Sequence, residues 1–181
     1  MNSQCYVAFL RGINVGRAKR VAMADLRLLL EGLGYTGVRS LLNSGNLVFH
    51  AAGASAAQAA AAIEEALVLR LGVAARVFVL AHAELAAIVA ANPLLDEATD
   101  HSRLIVFLLG DGIGREKLAE LAGEDWGCER LALGERAAYV WCPDGILVSA
   151  AATSLGKLLG DGTTSRNWNT LVKLHALCGD A

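Results

Sequence analysis

The chain has 181 residues, with 55% hydrophobic residues, 19% charged residues and only 2 prolines. This composition excludes an intrinsically disordered protein, and the length is sufficient to bury a core without the help of a disulfide or a metal. The net charge of −2 argues against a general polyanion-binding protein, yet residues 1–50 carry +4 and the remainder −6. A basic region can attract an anion locally, although it can equally be a solvated loop.

Cysteine spacing and hydropathy predict a cytoplasmic protein. The four cysteines lie far apart in apolar stretches and form no C-x-x-C pair, so we expect reduced thiols and no metal site. No uncharged apolar run approaches the roughly 18 residues that span a bilayer. The first residues lack the basic start of a secretion signal and lead directly into a strand pattern. We therefore expect no membrane association. The cysteines are Cys5, Cys128, Cys142 and Cys178.

Apolar periodicity in the first half predicts the order strand, helix, strand, strand, helix, strand. The predicted strands cover residues 5–10, 38–42, 47–49 and 75–80, and the predicted helices cover 23–33 and 55–71. This order is that of the split βαβ, or ferredoxin-like, motif. Another helix is predicted over 82–91, because the residue before Pro93 disfavours helical backbone.

The second half repeats much of this order. The predicted strands cover 103–109, 128–133 and 137–142, a short apolar piece covers 146–149, and helices cover 115–122, 153–159 and 165–178. We predict an α+β fold of two ferredoxin-like subdomains packed as one body. The N-terminal subdomain covers residues 1–92, and the C-terminal α+β subdomain, with two terminal helices, covers 93–181.

Two polar segments of the first half are predicted to lie close together. In a ferredoxin-like unit the first two strands run parallel, so the loop after the first strand and the hairpin after the second share one end of the sheet. Here these are residues 12–20 and 43–46, with Ser44-Gly45 as a two-residue turn. The loop contains glycines whose backbone N–H groups can bind an anion beside basic side chains, or can serve the turn alone.

The third polar segment, residues 163–170, precedes and opens the last predicted helix. Thr164 or Ser165 can cap that helix, which places Arg166 in its first turn, where the helix dipole disfavours a cation. An acidic partner or a bound anion would resolve this conflict. We predict that the three segments form one polar cleft across the two halves. The candidate ligand-binding residues are Arg11, Asn14, Arg17, Lys19, Asn43, Ser44, Asn46, Arg166, Asn167 and Asn169.

Two glycine-containing stretches fall short of known nucleotide-binding motifs. Residues 110–114 follow a strand but lack the final glycine of the dinucleotide fingerprint, and Ser154–Lys157 lacks the leading glycine of a phosphate loop. Neither the histidines nor the serines form a recognisable catalytic arrangement. We therefore expect no cofactor and no bound metal, and assign no catalytic residue.

Four short motifs resemble a bacterial family called domain of unknown function 1697. They cover residues 11–16 (RGINVG), 23–27 (MADLR), 44–49 (SGNLVF) and 165–170 (SRNWNT), the last followed by Lys173-Leu174. The resemblance extends over essentially the whole chain and implies two ferredoxin-like subdomains, with no established activity, substrate or cofactor. Arg17 and Asn43 depart from the family's usual glycine and glutamine.

Three functions remain open. The first is a binding protein for a small phosphate-bearing or other anionic ligand. Nucleic acid is the weaker form of this reading, because aromatic residues make up only 6% of the chain and the aromatic signature of RNA-binding sheets is absent. The second is an enzyme acting on a small anionic substrate, with Arg11, Lys19 and Arg166 as the anion clamp. The third is a structural or interaction protein without a ligand. The sequence does not indicate an oligomeric state.

Overall fold

A computed structural model describes residues 3–14, 20–110 and 114–179 of the chain. Contacts between Cα atoms divide the chain into two compact units. The first comprises Met1–Ala86 together with Lys173–Ala181, and the second comprises Ala87–Val172. The end of the chain thus groups with the first unit.

The first unit is a four-stranded antiparallel sheet with two helices on one face. Its elements are β1 (Ser3–Arg11), α1 (Met23–Glu31), β2 (Thr36–Leu41), β3 (Asn46–Ala52), α2 (Ala56–Ala66) and β4 (Arg76–Ala81), in the strand order β2-β3-β1-β4. Alternate residues of β1, namely Tyr6, Ala8 and Leu10, join the core with both helices. Period-two alternation thus places the other residues of β1 on the opposite face.

The helix α2 begins and ends with clear local signals. Ser55 accepts a hydrogen bond from the N–H of Gln58, whose side chain accepts from the N–H of Ser55, forming a capping box. The helix continues as a π-helical turn over Leu67–Leu71 and ends at Gly72, whose φ is 64°. The second helix of the unit was therefore predicted over the correct residues, but its last turn is wider than an α-helix.

The second unit repeats the same topology. Its elements are β5 (Leu104–Leu109), α4 (Arg115–Ala122), β6 (Arg130–Leu133), β7 (Ala137–Trp141), α5 (Ala150–Leu159) and β8 (Thr163–Asn167), in the strand order β6-β7-β5-β8. Two further helices complete the chain: α3 (His82–Ala90) and α6 (Trp168–Gly179). The chain is thus α+β with two ferredoxin-like subdomains, as the element order predicts.

Strand β8 corrects the prediction of a helix beginning at Ser165. Thr163–Asn167 pairs with β5, with Arg166 opposite Val106, and the helix begins only at Trp168. Arg166 therefore lies on a strand and not in a first helical turn. The cap is Asn167, whose Oδ1 accepts hydrogen bonds from the N–H and the hydroxyl of Thr170, and not Thr164 or Ser165.

The prediction of four reduced thiols is wrong for two of them. Cys5 and Cys178 form a disulfide, with their Cα atoms 6.0 Å apart, whereas Cys128 and Cys142 are free. The two bonded cysteines are separated by 173 positions in sequence. They meet because both belong to the first unit, one on β1 and one near the end of α6.

The helices over the described residues include none with the length and hydrophobicity to cross a membrane. Among the same residues, no group of three or more His, Cys, Asp and Glu side chains is placed to hold a metal ion.

Candidate functional site

The loop after β1 meets the β2–β3 hairpin at one end of the first sheet, as predicted. The N–H of Leu10 donates to the carbonyl of Gly45 at 2.8 Å, and Asn14 Nδ2 donates to the carbonyl of Asn43 at 3.0 Å. The connection between the strands is longer than the predicted two-residue turn, because β2 ends at Leu41 and β3 begins at Asn46. Two polar segments far apart in sequence thus form one surface.

The side-chain amide of Asn14 closes the loop on itself. Its Oδ1 accepts from the N–H of Val21 at 2.7 Å, and its Nδ2 donates to the carbonyl of Val21 at 2.9 Å. Asn14 also adopts a φ of 56°, which asparagine tolerates better than most residues. Its polar atoms are therefore engaged by backbone groups, which favours a structural role for this residue over direct ligand binding.

The hairpin fits closely under the loop. Gly45 has a φ of 80°, and a Cβ built there would lie 2.8 Å from Leu10 Cβ and from Ile13 Cδ1. Asn46 is buried and donates through Nδ2 to the carbonyl of Leu41 and to Ser44 Oγ. Asn43 is exposed, so among the hairpin's candidate residues it and Ser44 lie at the surface.

The charge at this end of the sheet comes from two arginines on neighbouring strands. Arg11, at the end of β1, lies directly opposite Arg76, at the start of β4. The Arg76 side chain is 65% exposed, and its Nη1 lies 3.9 Å from Glu64 Oε2. Opposed residues of an antiparallel pair point to the same face, so two guanidinium-bearing side chains share one small area.

Arg76 was not among the predicted site residues, although the sequence contained the signal. A ferredoxin-like order pairs the first strand antiparallel to the fourth. The last residue of the first strand therefore faces the first residue of the fourth, which makes Arg76 the partner of Arg11. Of the other predicted residues of this loop, Arg17 and Lys19 lie outside the described residues.

Three predicted site residues belong to the second unit. Arg166 Nη1 donates to Thr164 Oγ1 at 2.9 Å and to the carbonyl of Ser165 at 2.7 Å. Burial lowers the pKa of its guanidinium to about 10, so the side chain is still charged at neutral pH. Asn167 caps α6, and Asn169 is exposed on its first turn. The joining of these residues with the first unit's loop stays a prediction.

The architecture defines a class of α+β proteins with two consecutive ferredoxin-like units. A family model described as a protein of unknown function (DUF1697) matches residues 3–139, and the chain belongs to this family. It is similar in structure to the conserved bacterial protein SP0830 from Streptococcus pneumoniae, with 24% sequence identity and a TM-score of 0.79 over 98% of this chain and 99% of that one. No curated protein matches it in sequence.

Proposed function

We propose that the chain is a cytoplasmic binding protein for a small anionic ligand, such as a phosphate-bearing molecule, held at the loop–hairpin end of the first sheet. The observation that supports this proposal best is the direct opposition of Arg11 and Arg76 on β1 and β4. Two guanidinium groups on one face create a local positive potential, and each offers planar donors suited to carboxylate or phosphate oxygens.

Glu64 lies beside Arg76 and offsets part of its charge. Its Oε1 accepts from the N–H of Val77 at 2.8 Å, which fixes the carboxylate, while its Oε2 stands 3.9 Å from Arg76. The carboxylate is thus held beside Arg76 by a backbone contact as well as by the guanidinium charge. The Arg76 side chain is 65% exposed and that of Glu64 31%, and an ion pair open to solvent contributes little energy, so an anion can compete with Glu64 for Arg76.

The face that carries the arginines does not favour an RNA-binding sheet. Phe9 shares the face of Arg11 by strand alternation, yet it is fully buried. A ferredoxin-like sheet that binds RNA stacks bases on exposed aromatic rings. A ligand bound mainly through its anionic group therefore fits this surface better than a nucleic acid strand.

The proposal is tested by titrating the protein with inorganic phosphate and with a nucleoside monophosphate, by calorimetry and thermal shift. A charged hydrogen bond contributes about 1.5–3 kcal/mol, so Arg11→Gln and Arg76→Gln should each weaken binding about 10-fold or more. Lys117→Gln, which removes one positive charge from α4 in the second unit, is the matched control and should bind normally. Absence of any saturable binding, or equal affinity in Arg11→Gln, would refute the proposal.

A further inference from the structure

We propose that the Cys5–Cys178 disulfide is a reversible redox latch that holds the C-terminal end of α6 on the first sheet. Cys5 lies near the start of β1, and Cys178 lies in the last turn of α6. The bond therefore joins an element from the beginning of the chain to one from its end. This inference is independent of the proposed anion site.

Two further contacts place the same helix end on the first unit. Arg39 Nη2, on β2, donates to the carbonyl of Leu177, one of the last carbonyls of α6 that have no partner within the helix. The ring of His175 lies with its centroid 4.9 Å from that of His82, the first residue of α3. The helix end thus has a docking position that the disulfide fixes and that weaker contacts support.

Strand register puts the bonded cysteine and the arginine on one face of the sheet. Cys5 pairs with His50 and Arg39 pairs with Val48, and positions 48 and 50 point to the same side of β3. This is the face opposite the one that packs against α1 and α2. The disulfide therefore holds the end of α6 against the sheet face to which Arg11 also belongs. Arg11 lies at the opposite end of β1 from Cys5.

The two bonded residues differ in exposure, and the more exposed one is the side from which we propose that a reductant approaches. Cys5 is half-buried, whereas Cys178 is buried. In the cytoplasm, the location proposed above on which this step rests, thiols are kept reduced. A disulfide in such surroundings serves as a labile bond more often than as a permanent staple.

The reaction we propose is thiol–disulfide exchange with a dithiol reductant. A reductant thiolate attacks Cys5 Sγ, the bond to Cys178 breaks, and the Cys178 thiolate leaves and takes up a proton. The second thiol of the reductant then displaces Cys5, which also becomes a thiol, and the reductant leaves as a cyclic disulfide. Two electrons and two protons enter the protein, and a small-molecule disulfide such as oxidised glutathione reverses the reaction.

The chemical part is tested by counting thiols in the unfolded protein after equilibration with dithiothreitol or with its cyclic disulfide, which leaves no lasting mixed disulfide on the exposed Cys128. We expect two thiols after oxidation and four after reduction, interchanging over repeated cycles, because Cys128 and Cys142 are already free. Four thiols under both conditions would overturn the proposal, and so would two thiols under both conditions, which would mean that a dithiol does not reduce the bond in the folded protein.

The structural part is tested by hydrogen exchange of the last two turns of α6 in both redox states. We expect residues 173–179 to lose protection on reduction while β3 keeps it, and Cys5→Ser/Cys178→Ser to exchange like the reduced protein in either buffer. Cys128→Ser is the control and should keep the redox dependence. If the helix end of the wild-type protein were equally protected from hydrogen exchange in both redox states, the disulfide would not act as a latch, and the proposal would fail.

Discussion

The backbone makes the same hydrogen bond at the end of the first strand in both units. The N–H of Leu10 donates to Gly45 O at 2.8 Å after β1, and the N–H of Leu109 donates to Arg136 O at 2.9 Å after β5. In each case the strand end is joined to the hairpin between the next two strands. The duplication therefore extends from element order to individual backbone contacts.

The residues that follow this shared contact differ completely. In the first unit Arg11 faces Arg76, whereas at the corresponding place in the second unit the N–H of Gly110 donates to Gly162 O at 3.1 Å. A Cβ on Gly110 would lie 2.8 Å from that oxygen. The same scaffold thus carries two arginines in one unit and two glycines in the other, with no room for a side chain at Gly110, which supports placing the proposed anion site in the first unit.

Different side chains hold the connection after the first strand to the hairpin in the two units. Asn14 joins its loop to the first hairpin through one neutral amide hydrogen bond, to Asn43 O, and closes the loop on Val21 through two more. In the second unit Arg115 donates to the carbonyls of Gly134 and Glu135. The second unit therefore uses a guanidinium group to hold its loop to its hairpin, whereas the first unit uses the amide of Asn14.

The largest expected effect concerns the buried phenol of Tyr139 on the second sheet. Tyr139 stands at the position of Val48 in the first unit, donates to Ile88 O at 2.7 Å, and its burial raises its pKa from 10.0 to about 12. Its contribution to stability is complete below pH 10 and is lost as the pH rises towards 12. This loss corresponds to about 2–3 kcal/mol.

Urea unfolding across that pH range measures the effect. Tyr139→Phe should remove the alkaline loss, at a cost of about 1 kcal/mol at neutral pH for the missing hydrogen bond. Tyr35→Phe removes the hydroxyl of a half-buried tyrosine in the first unit. It should leave most of the loss of stability at alkaline pH in place. An unchanged pH profile in Tyr139→Phe would contradict the burial argument.

Gly110→Ala tests whether the second unit excludes side chains where the first unit has arginines. The added Cβ would meet Gly162 O at 2.8 Å, and overpacking against backbone costs about 1–3 kcal/mol. Chemical unfolding should show that loss. Gly156→Ala, inside α5 with open space around it, is the matched control and should raise stability by about 0.5–1 kcal/mol. Equal effects of the two changes would argue against the close contact.

Asn14→Gly tests the amide that closes the first unit's loop. Glycine keeps the positive φ and removes only the three hydrogen bonds of the side chain, so we expect a loss of about 1–2 kcal/mol. Asn43→Ala should cost less than about 0.5 kcal/mol, since its carbonyl and not its side chain accepts from Asn14. Thermal unfolding distinguishes the two, and a costly Asn43→Ala would show that the side chain has another role.

Arg115→Gln is expected to have the smallest effect. Its hydrogen bonds to the second hairpin are exposed, so their loss should cost about 1 kcal/mol or less. Lys117→Gln, two positions further on α4, is the charge-matched control and should be neutral. If Arg115→Gln also abolished phosphate binding, the assignment of the anion site to the first unit alone would fail.

Local sequence signals were sufficient for most of the fold but not for its last quarter. Apolar periodicity located the strands and helices of the first unit, and crossover topology then brought Asn14 to the hairpin. Strand β8 was missed because Thr163–Asn167 is short and polar, and because a helix follows without a loop. Only the pairing with β5 stabilises it as a strand, and that pairing is a long-range contact.

The sequence predicted which segments of the candidate site meet, but not which atoms their side chains contact. Asn14 and Asn43 were expected near each other because topology decides their placement, whereas the polar atoms of Asn14 turned out to bind backbone groups. Whether an amide meets a ligand or a carbonyl depends on loop geometry that residue type does not specify. The Cys5–Cys178 bond had no local signal at all, because both cysteines lie in ordinary apolar segments and meet only in the folded unit.

The disulfide also decides how the protein responds to mechanical force. With Cys5 and Cys178 joined, all residues between them form one covalent ring that includes both sheets. A pull on the chain from either side of the ring is carried by the sulfur–sulfur bond, and the hydrogen bonds of β1 and of α6 bear almost none of it. After reduction, the same pull acts directly on the ends of β1 and α6. Tension would therefore unravel the reduced protein from these two elements and leave the oxidised protein folded.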